Sequence, residues 1–444
     1  MILKDAPEGF QPTEIGLIPV DWKLKQAKDI SGCIVPGRNK PKKFDGIIPW
    51  VTTSDIDKLG KIDNSKISLF ISKEEANAIG SRVVPANAVI MSCVGELGVV
   101  CVAENEIVIN QQLHAFLPNS KINSKYLSYI LSSLKEYFYS KATKTTLPYL
   151  NKDNCNSTPI PLPCIEEQTA IANALSDVDA LLTELEMLIT KKQAIKTATM
   201  QQLLTGKTRL PQFATYTEGE NQGAPKGKSK GTKPSELGEI PEDWDVSTIA
   251  DISLVPMQNG LFYEPARKGK GVPLINVSDM YTSAPISVES LELFNASKTE
   301  LKAFKVNEGD LFFTRSSIVP SGIAFCNVLP KSDKEVVFDS HLIRVRVNPK
   351  IADYNYVYLN CLAKHSRLHL IANSKTATMT TIDQKAINCC PVLLPCKEEQ
   401  TAIATILSDM DNEIQTLEQR LTKTRQIKQG MMQQLLTGRT RLPY

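Results

Sequence analysis

The chain has little of what would assign it to a membrane, a secretory route or an enzyme class. No apolar run in its 444 residues approaches the ~18 that a membrane span requires. The opening Met1-Ile2-Leu3-Lys4-Asp5 turns polar too early for a secretory leader. The 10 cysteines are scattered, with Cys389 and Cys390 adjacent and no CxxC or zinc-knuckle spacing. Free thiols in a reducing cytoplasm are therefore expected. The net charge of only +3 excludes a uniformly basic, histone-like mode, so any contact with nucleic acid must come from local patches.

Catalytic signatures are missing as well. Gly206-Lys207-Thr208 and Gly227-Lys228-Ser229 end like phosphate loops, but Gln201 and Gln222 stand where the loop needs its first glycine. His365 and His369 could share a helix face, yet no glutamate motif or cysteine pair accompanies them. No GxSxG, glycine-rich dinucleotide turn, nuclease-type aspartate cluster or Asn/Asp-Pro-Pro-aromatic string occurs. No catalytic residue, no metal and no cofactor bound by this chain is expected.

What the chain does have is repetition. Residues 163–211 and 395–443 align without a gap, and 30 of the 49 positions are identical. A shorter repeat, Pro-Thr-Glu-Ile-Gly-Leu-Ile-Pro-Val-Asp-Trp at 12–22 and Pro-Ser-Glu-Leu-Gly-Glu-Ile-Pro-Glu-Asp-Trp at 234–244, opens each copy. Between these anchors the two copies diverge, apart from weak echoes such as Trp50–Ile56 against Leu274–Met280. Near-identical scaffolds carrying unlike heads suggest one geometry used for two specificities.

In the repeated segments Ile171, Leu175, Val178, Leu182, Leu185 and Ile189 alternate spacings of four and three, as do Ile403, Leu407, Met410, Ile414, Leu417 and Leu421. That is a coiled-coil seam. Pro163 and Pro395 precede each helix and Gly206 and Gly438 end it. Residues 166–186 hold six acids and no base, and 187–209 five bases and no acid. The second copy repeats this, with six acids in 398–418 and six bases in 420–441. Compensation of the helix dipole would fade within a turn, whereas antiparallel pairing sets acid against base throughout.

The expected fold class is α+β. Two α/β heads, residues 1–158 and 234–390, are joined by constant helices, residues 159–211 and 391–444, which pair as an antiparallel coiled coil with approximate two-fold symmetry. Residues 212–233, with Gly223-Ala224-Pro225-Lys226-Gly227-Lys228-Ser229-Lys230-Gly231, are expected to be a flexible basic linker whose lysines face water. Within the heads, Ala88–Met91 and Asp310–Phe313 suggest strands, and Tyr126–Tyr139 and Tyr354–His369 suggest helices.

The order Pro-Glu-Asp-Trp, variable head, Glu166-Glu167-Gln168, heptads, Gln201-Gln202-Leu203-Leu204-Thr205-Gly206, with its second copy, resembles the specificity subunits of Type I restriction-modification systems over nearly the whole chain. The resemblance implies two target-recognition domains reading a bipartite, asymmetric site on double-stranded DNA. It also implies two adenine-methylating modification subunits that use S-adenosylmethionine, and restriction subunits driven by ATP with magnesium. The chemistry would belong to those partners. Base readout needs forked donors and amides, and phosphate anchoring needs Lys, Arg and Thr. In the first head the candidates are Arg38, Lys40, Lys42 and Lys43; Thr52, Thr53 and Ser54; and Lys141, Lys144, Thr145 and Thr146. In the second they are Arg267, Lys268 and Lys270; Asn276 and Ser278; Arg315 and Ser316; and Lys375, Thr376 and Thr378. Two other readings stay open at this point: an adaptor that joins protein-binding heads, and a standalone nuclease or methyltransferase.

Overall fold

The computed structural model describes residues 6–37, 39–57, 60–143, 146–216, 227–282 and 284–443. The chain divides into two compact units, Met1–Met187 with Glu418–Tyr444, and Leu188–Leu417. The long helices Ile165–Leu203 and Lys397–Leu435 are each divided between the two units. Each unit takes one head, the start of one long helix and the end of the other. No described helix is long and apolar enough to cross a membrane.

The two heads share a plan. In the first, a four-stranded antiparallel sheet runs Cys33–Ile34, Leu113–Phe116, Val89–Ser92, Val100–Val102. Beside it Ile48–Val51 pairs antiparallel with Phe70–Ile71 and parallel with Val108–Ile109. In the second head the corresponding order is Gln258–Asn259, Leu342–Arg346, Asp310–Thr314, Cys326–Val328. Lys268–Ile275 likewise pairs antiparallel with Glu292–Phe294 and parallel with Val337–Phe338.

The third strands of the two sheets, Val89–Ser92 and Asp310–Thr314, are buried along their whole length because both of their faces are covered. Val89 and Met91 pack toward Tyr126, Ile130 and Phe138, while Ile90 faces Ile34, Val51 and Ile109. Leu311 and Phe313 pack toward Tyr356, Leu359 and Leu370, and Phe312 faces Ile275 and Phe338. The covering helices are each two rather than one: Ser124–Ser133 then Lys135–Lys141, and Tyr354–Leu362 then Lys364–Ala372. The second break falls at Ala363, whose backbone is extended (φ −65°, ψ 154°).

Within each unit the helix segments run antiparallel, as the charge blocks suggested. In the first, Lys428 meets Asp179 and Arg425 meets Glu186, both at 2.6 Å. In the second, Lys192 meets Glu413 at 2.6 Å and Lys196 pairs with Asp411. Of the seam residues, Ile171, Leu175, Leu182, Leu185, Ile189, Ile403, Leu407 and Ile414 are buried. Val178, Met410, Leu417 and Leu421 are half-buried.

Helix ends and head entrances are locked by the repeated motifs. Glu167, 1% exposed, accepts from the Trp22 indole at 3.2 Å and from the Arg441 fork, which also holds Asp21. Glu399, also 1% exposed, accepts from Trp244 at 3.1 Å and from Arg209, which also holds Asp243. So the Thr-Gly-x-Thr-Arg ending of one repeat closes on the Asp-Trp opening and the Glu-Glu-Gln of the other. Gln168 and Gln400 complete each lock. Their Nε2 groups donate to Pro163 O (3.0 Å) and Pro395 O (2.9 Å), and their Oε1 atoms accept from Asn123 N and Asp353 N, both at 2.9 Å. Each glutamine thus ties a carbonyl ahead of its own helix to the N-cap amide of a helix in the head.

The expected tether is not free where it is described; residues 217–226 lie outside the described residues. Tyr216 N donates to Lys228 O at 2.9 Å and Gly231 N to Glu242 Oε1 at 2.6 Å. The Lys230 ammonium, with 5% of its side chain exposed, lies 3.0 Å from Asp243. The carboxylates of Pro241-Glu242-Asp243-Trp244 attract lysines that the sequence reading had left in water.

Gly206 and Gly438 stand at φ 68° and 66°, and a Cβ there would come within 2.4 Å of Pro241 and 2.3 Å of Pro19. Gly206→Ala and Gly438→Ala should each cost about 1–3 kcal/mol or more, read as a lower urea midpoint. Gly430→Ala, on a helix with open space around it, should raise the midpoint. Unchanged midpoints in the first two would remove the closure from the account.

Candidate nucleic-acid interface

Each head brings a polar turn to the start of the strand that lies second in its four-stranded sheet. In the first, Asn110 N donates to Val51 O at 3.0 Å, and Gln112 N to Asn110 Oδ1 at 3.1 Å. In the second, Asp339 N donates to Ile275 O at 3.0 Å, and His341 N to Asp339 Oδ1 at 2.7 Å. Cys93 N donates to Gln112 O and Arg315 N to His341 O, both at 2.8 Å. Leu150 N then donates to Cys93 O, and Ile382 N to Arg315 O. The two heads thus match at five positions across four chain segments, and Gln112 and His341 hold one structural position.

Around that position the side chains differ. Gln112 is exposed, with Oε1 accepting from Asn110 Nδ2 at 3.1 Å and Thr53 Oγ1 at 3.4 Å. This arrangement leaves the Nε2 donors to a partner such as a purine N7 or O6. His341, 62% exposed, has Nδ1 2.8 Å from Asp339 Oδ1. That contact makes Nδ1 the donor, so the neutral ring offers Nε2 as an acceptor, suited to an exocyclic amine of adenine or cytosine. Beside His341 lies a cleft of 420 Å³ lined by Asn259, Arg315, Asn373, Lys375, Thr381 and Gln384 among others. Gln384 Nε2 donates to Asn259 Oδ1 at 2.7 Å.

The candidates from the sequence divide accordingly. Arg315, Ser316, Lys375, Thr376 and Thr378 are brought together. Ser316–Ser317, Thr380–Thr381 and Lys375–Thr376 form one small sheet, and Thr378 is exposed at its hairpin. Lys375 keeps 84% of its side chain exposed, 3.7 Å from Asp383. In the first head, Lys40, Lys42 and Lys43 are exposed on the loop whose Asn39 O accepts from Gln111. Thr146 is exposed near the matching hairpin, where Thr143 bridges Tyr149. Arg38, Lys144 and Thr145 lie outside the described residues. Ser54 and Ser278 are exposed on the short turns that follow the neighbouring strands, and Lys270 is exposed within its strand.

Others are committed elsewhere. Thr52 and Asn276 are N-caps, with Asp55 and Asp279 accepting from their backbone amides at 2.7 and 2.8 Å. Lys141 faces Glu14 and the Tyr137 ring. Lys268 pairs with Glu292 at 2.8 Å. Arg267 forks onto Glu300, donates to Asn295 O and covers Phe294 at 4.5 Å. The Arg267 bond holds the Glu300 carboxyl down to about 2. A guanidinium so fully engaged supports the fold rather than a ligand.

Gln112, His341, Asn259 and Gln384 were missed. The available signal was positional, since Asn110-Gln111-Gln112 and Asp339-Ser340-His341 each put an Asx residue two places before the exposed one.

A family model described as "Type I restriction modification DNA specificity domain" matches this chain twice, over residues 19–197 and 241–428. The chain belongs to the Type I restriction modification DNA specificity family. Its relatives include the Type I restriction enzyme MjaIX specificity subunit of Methanocaldococcus jannaschii, 22% identical over 98% of this chain and 96% of that one. The putative MjaX specificity subunit of the same organism is 24% identical over 98% and 97%. Among solved structures, the S subunit of a Type I restriction-modification system from M. genitalium covers 93% of this chain and 96% of its own. It has a TM-score of 0.55 at 14% identity, a likeness of fold.

For this specificity subunit, Arg315→Ala and Lys375→Ala should each weaken duplex binding and lower the slope of log affinity against log salt by about 1. Arg267→Ala should leave the slope alone and instead flatten the acid dependence of stability. Glu300 is depressed from 4.5 to about 2, so its contribution is full above pH 4.5 and is lost as pH falls toward 2. A slope change for Arg267→Ala alone would reverse the assignment.

Proposed function

We propose that this specificity subunit reads a bipartite, asymmetric site on double-stranded DNA, one half per head, across a spacer of unread base pairs. In this reading two modification subunits, carrying S-adenosylmethionine, dock on the constant helices and methylate adenine. Restriction subunits using ATP and magnesium join that core in the cytoplasm. The chain supplies recognition and no chemistry. The observation that supports this most directly is the pairing of sameness and difference. One lock of Trp, Glu and Arg closes both units, while a single structural position holds Gln112 in one head and His341 in the other.

The test is to co-express the chain with modification subunits and map methylated adenines. Gln112→Ala should relax one half-site and leave the other intact, and His341→Ala should do the converse. Loss of both half-sites from either change, or of neither from both, would overturn the assignment of one half-site to each head. Because the helices set the spacing of the heads in this reading, adding four residues to a helix, about one turn, should lengthen the preferred spacer without altering either half-site. An unchanged spacer would remove the ruler.

A further inference from the structure

The second head carries another polar feature, away from the reading turn. His341 precedes the strand Leu342–Arg346 and Arg346 ends it, about 17 Å along at ~3.4 Å per residue. Arg344 and Arg346 project from one face of this strand into a cleft of 690 Å³, which Lys302, Lys305, Gln258 and Asn307 also line.

The two arginines are treated differently. Arg346 forks onto Asp310, itself 0% exposed, with both bonds at 2.7 Å. Arg344 is 6% exposed, yet its Nε has no hydrogen-bond partner, and its Nη1 reaches Lys305 O only at 3.5 Å. Among the described residues, none of Arg344, Lys302 and Lys305 has a carboxylate in ion-pair range. A buried guanidinium with bonds unmade is costly. Burial pushes its affinity for the proton below that of an ordinary arginine; Asp310 opposes the shift and Arg346 adds to it.

The fold does not demand this charge. Arg344 stands opposite Phe312 in the sheet, and its counterpart in the first head, opposite Ile90, is Ala115. Ala115 is 0% exposed in an apolar cluster. One head fills the position with a methyl group, and the other holds a cation there against its burial cost.

We propose that Arg344, Arg346, Lys302 and Lys305 form an oxyanion site that takes a phosphoryl group. The buried Arg344 supplies fixed donors at the floor, Arg346 is braced by Asp310, and the two exposed lysines close over the remaining oxygens. Three cations without carboxylate partners more than offset the two negative charges of a phosphate dianion or of two neighbouring diesters. The phosphoryl group has two possible sources: a free phosphate ester, or the backbone of a duplex that extends beyond the reading turn. The second source rests on the DNA-reading function above; the first does not.

The test uses the full-length chain at constant ionic strength, titrated with inorganic phosphate and pyrophosphate and followed by calorimetry. Binding should weaken by about tenfold or more in Arg344→Ala, which installs the residue of the first head, and by a few-fold in Lys305→Gln, an exposed change that spares the core. In parallel, affinity for a duplex of arbitrary sequence is measured against salt. A phosphate response weakened to these extents in the two variants supports the site with free phosphate as a sufficient ligand. No phosphate response, but a salt slope lower by about 1 in each variant, supports the site with the duplex backbone as its source. Wild-type behaviour of both variants in both assays overturns it. A phosphate response undiminished in both variants overturns it too. If the phosphate result holds while methylation mapping shows no bipartite site, the DNA reading fails and the oxyanion site stands.

Discussion

A buried carboxylate shared by an indole and a guanidinium is the interaction on which each half of this protein turns. Glu167 and Glu399 sit in the first turn of their helices at 1% exposure, where an isolated carboxylate would be expelled or neutralised. Each accepts hydrogen bonds from a forked arginine and from a tryptophan N–H. The arginine also holds the aspartate beside that tryptophan, and its charge rises accordingly in persistence. Three segments far apart in sequence thus meet at one group, and removing the arginine leaves the buried carboxylate uncompensated, at a cost of about 3–5 kcal/mol.

This explains which residues the two copies share. Pro-x-Asp-Trp, Glu-Glu-Gln and Leu-Leu-Thr-Gly-x-Thr-Arg are the parts of a single lock, used twice. Everything beyond it is free to differ as long as Val89–Ser92 and Asp310–Thr314 stay buried on both faces. The heads use that freedom at their polar turns, where Gln112 and His341 offer different hydrogen-bonding atoms, and in the sheet, where Ala115 in one head answers Arg344 in the other.

Much of this was legible in the linear chain. The seam and the charge blocks implied antiparallel helices because periodicity and sign are read directly from residue order, and Lys428–Asp179 and Lys192–Glu413 pair accordingly. Lys375 and Thr376 could be tied to Arg315 and Ser316 only in the folded chain, since the pairing that joins them crosses about sixty residues. The engagement of Arg267 was hidden for the same kind of reason. A basic residue among glycines resembles a ligand contact until Glu300, more than thirty residues on, is seen to occupy it. Lys230, expected in a solvated tether, is engaged in the same way, because its carboxylate partner Asp243 lies in the next motif.

The sequence alone decided the repeat, the helical rods, their polarity and the absence of a familiar catalytic motif, since each is a property of neighbours along the chain. Tertiary structure decided which polar side chains remain available. A donor's freedom depends on whether a distant carboxylate or carbonyl has already claimed it, and that is a matter of approach in space: Gln112 and His341 are left exposed, Arg267 is consumed, and Arg344 is buried with its bonds incomplete.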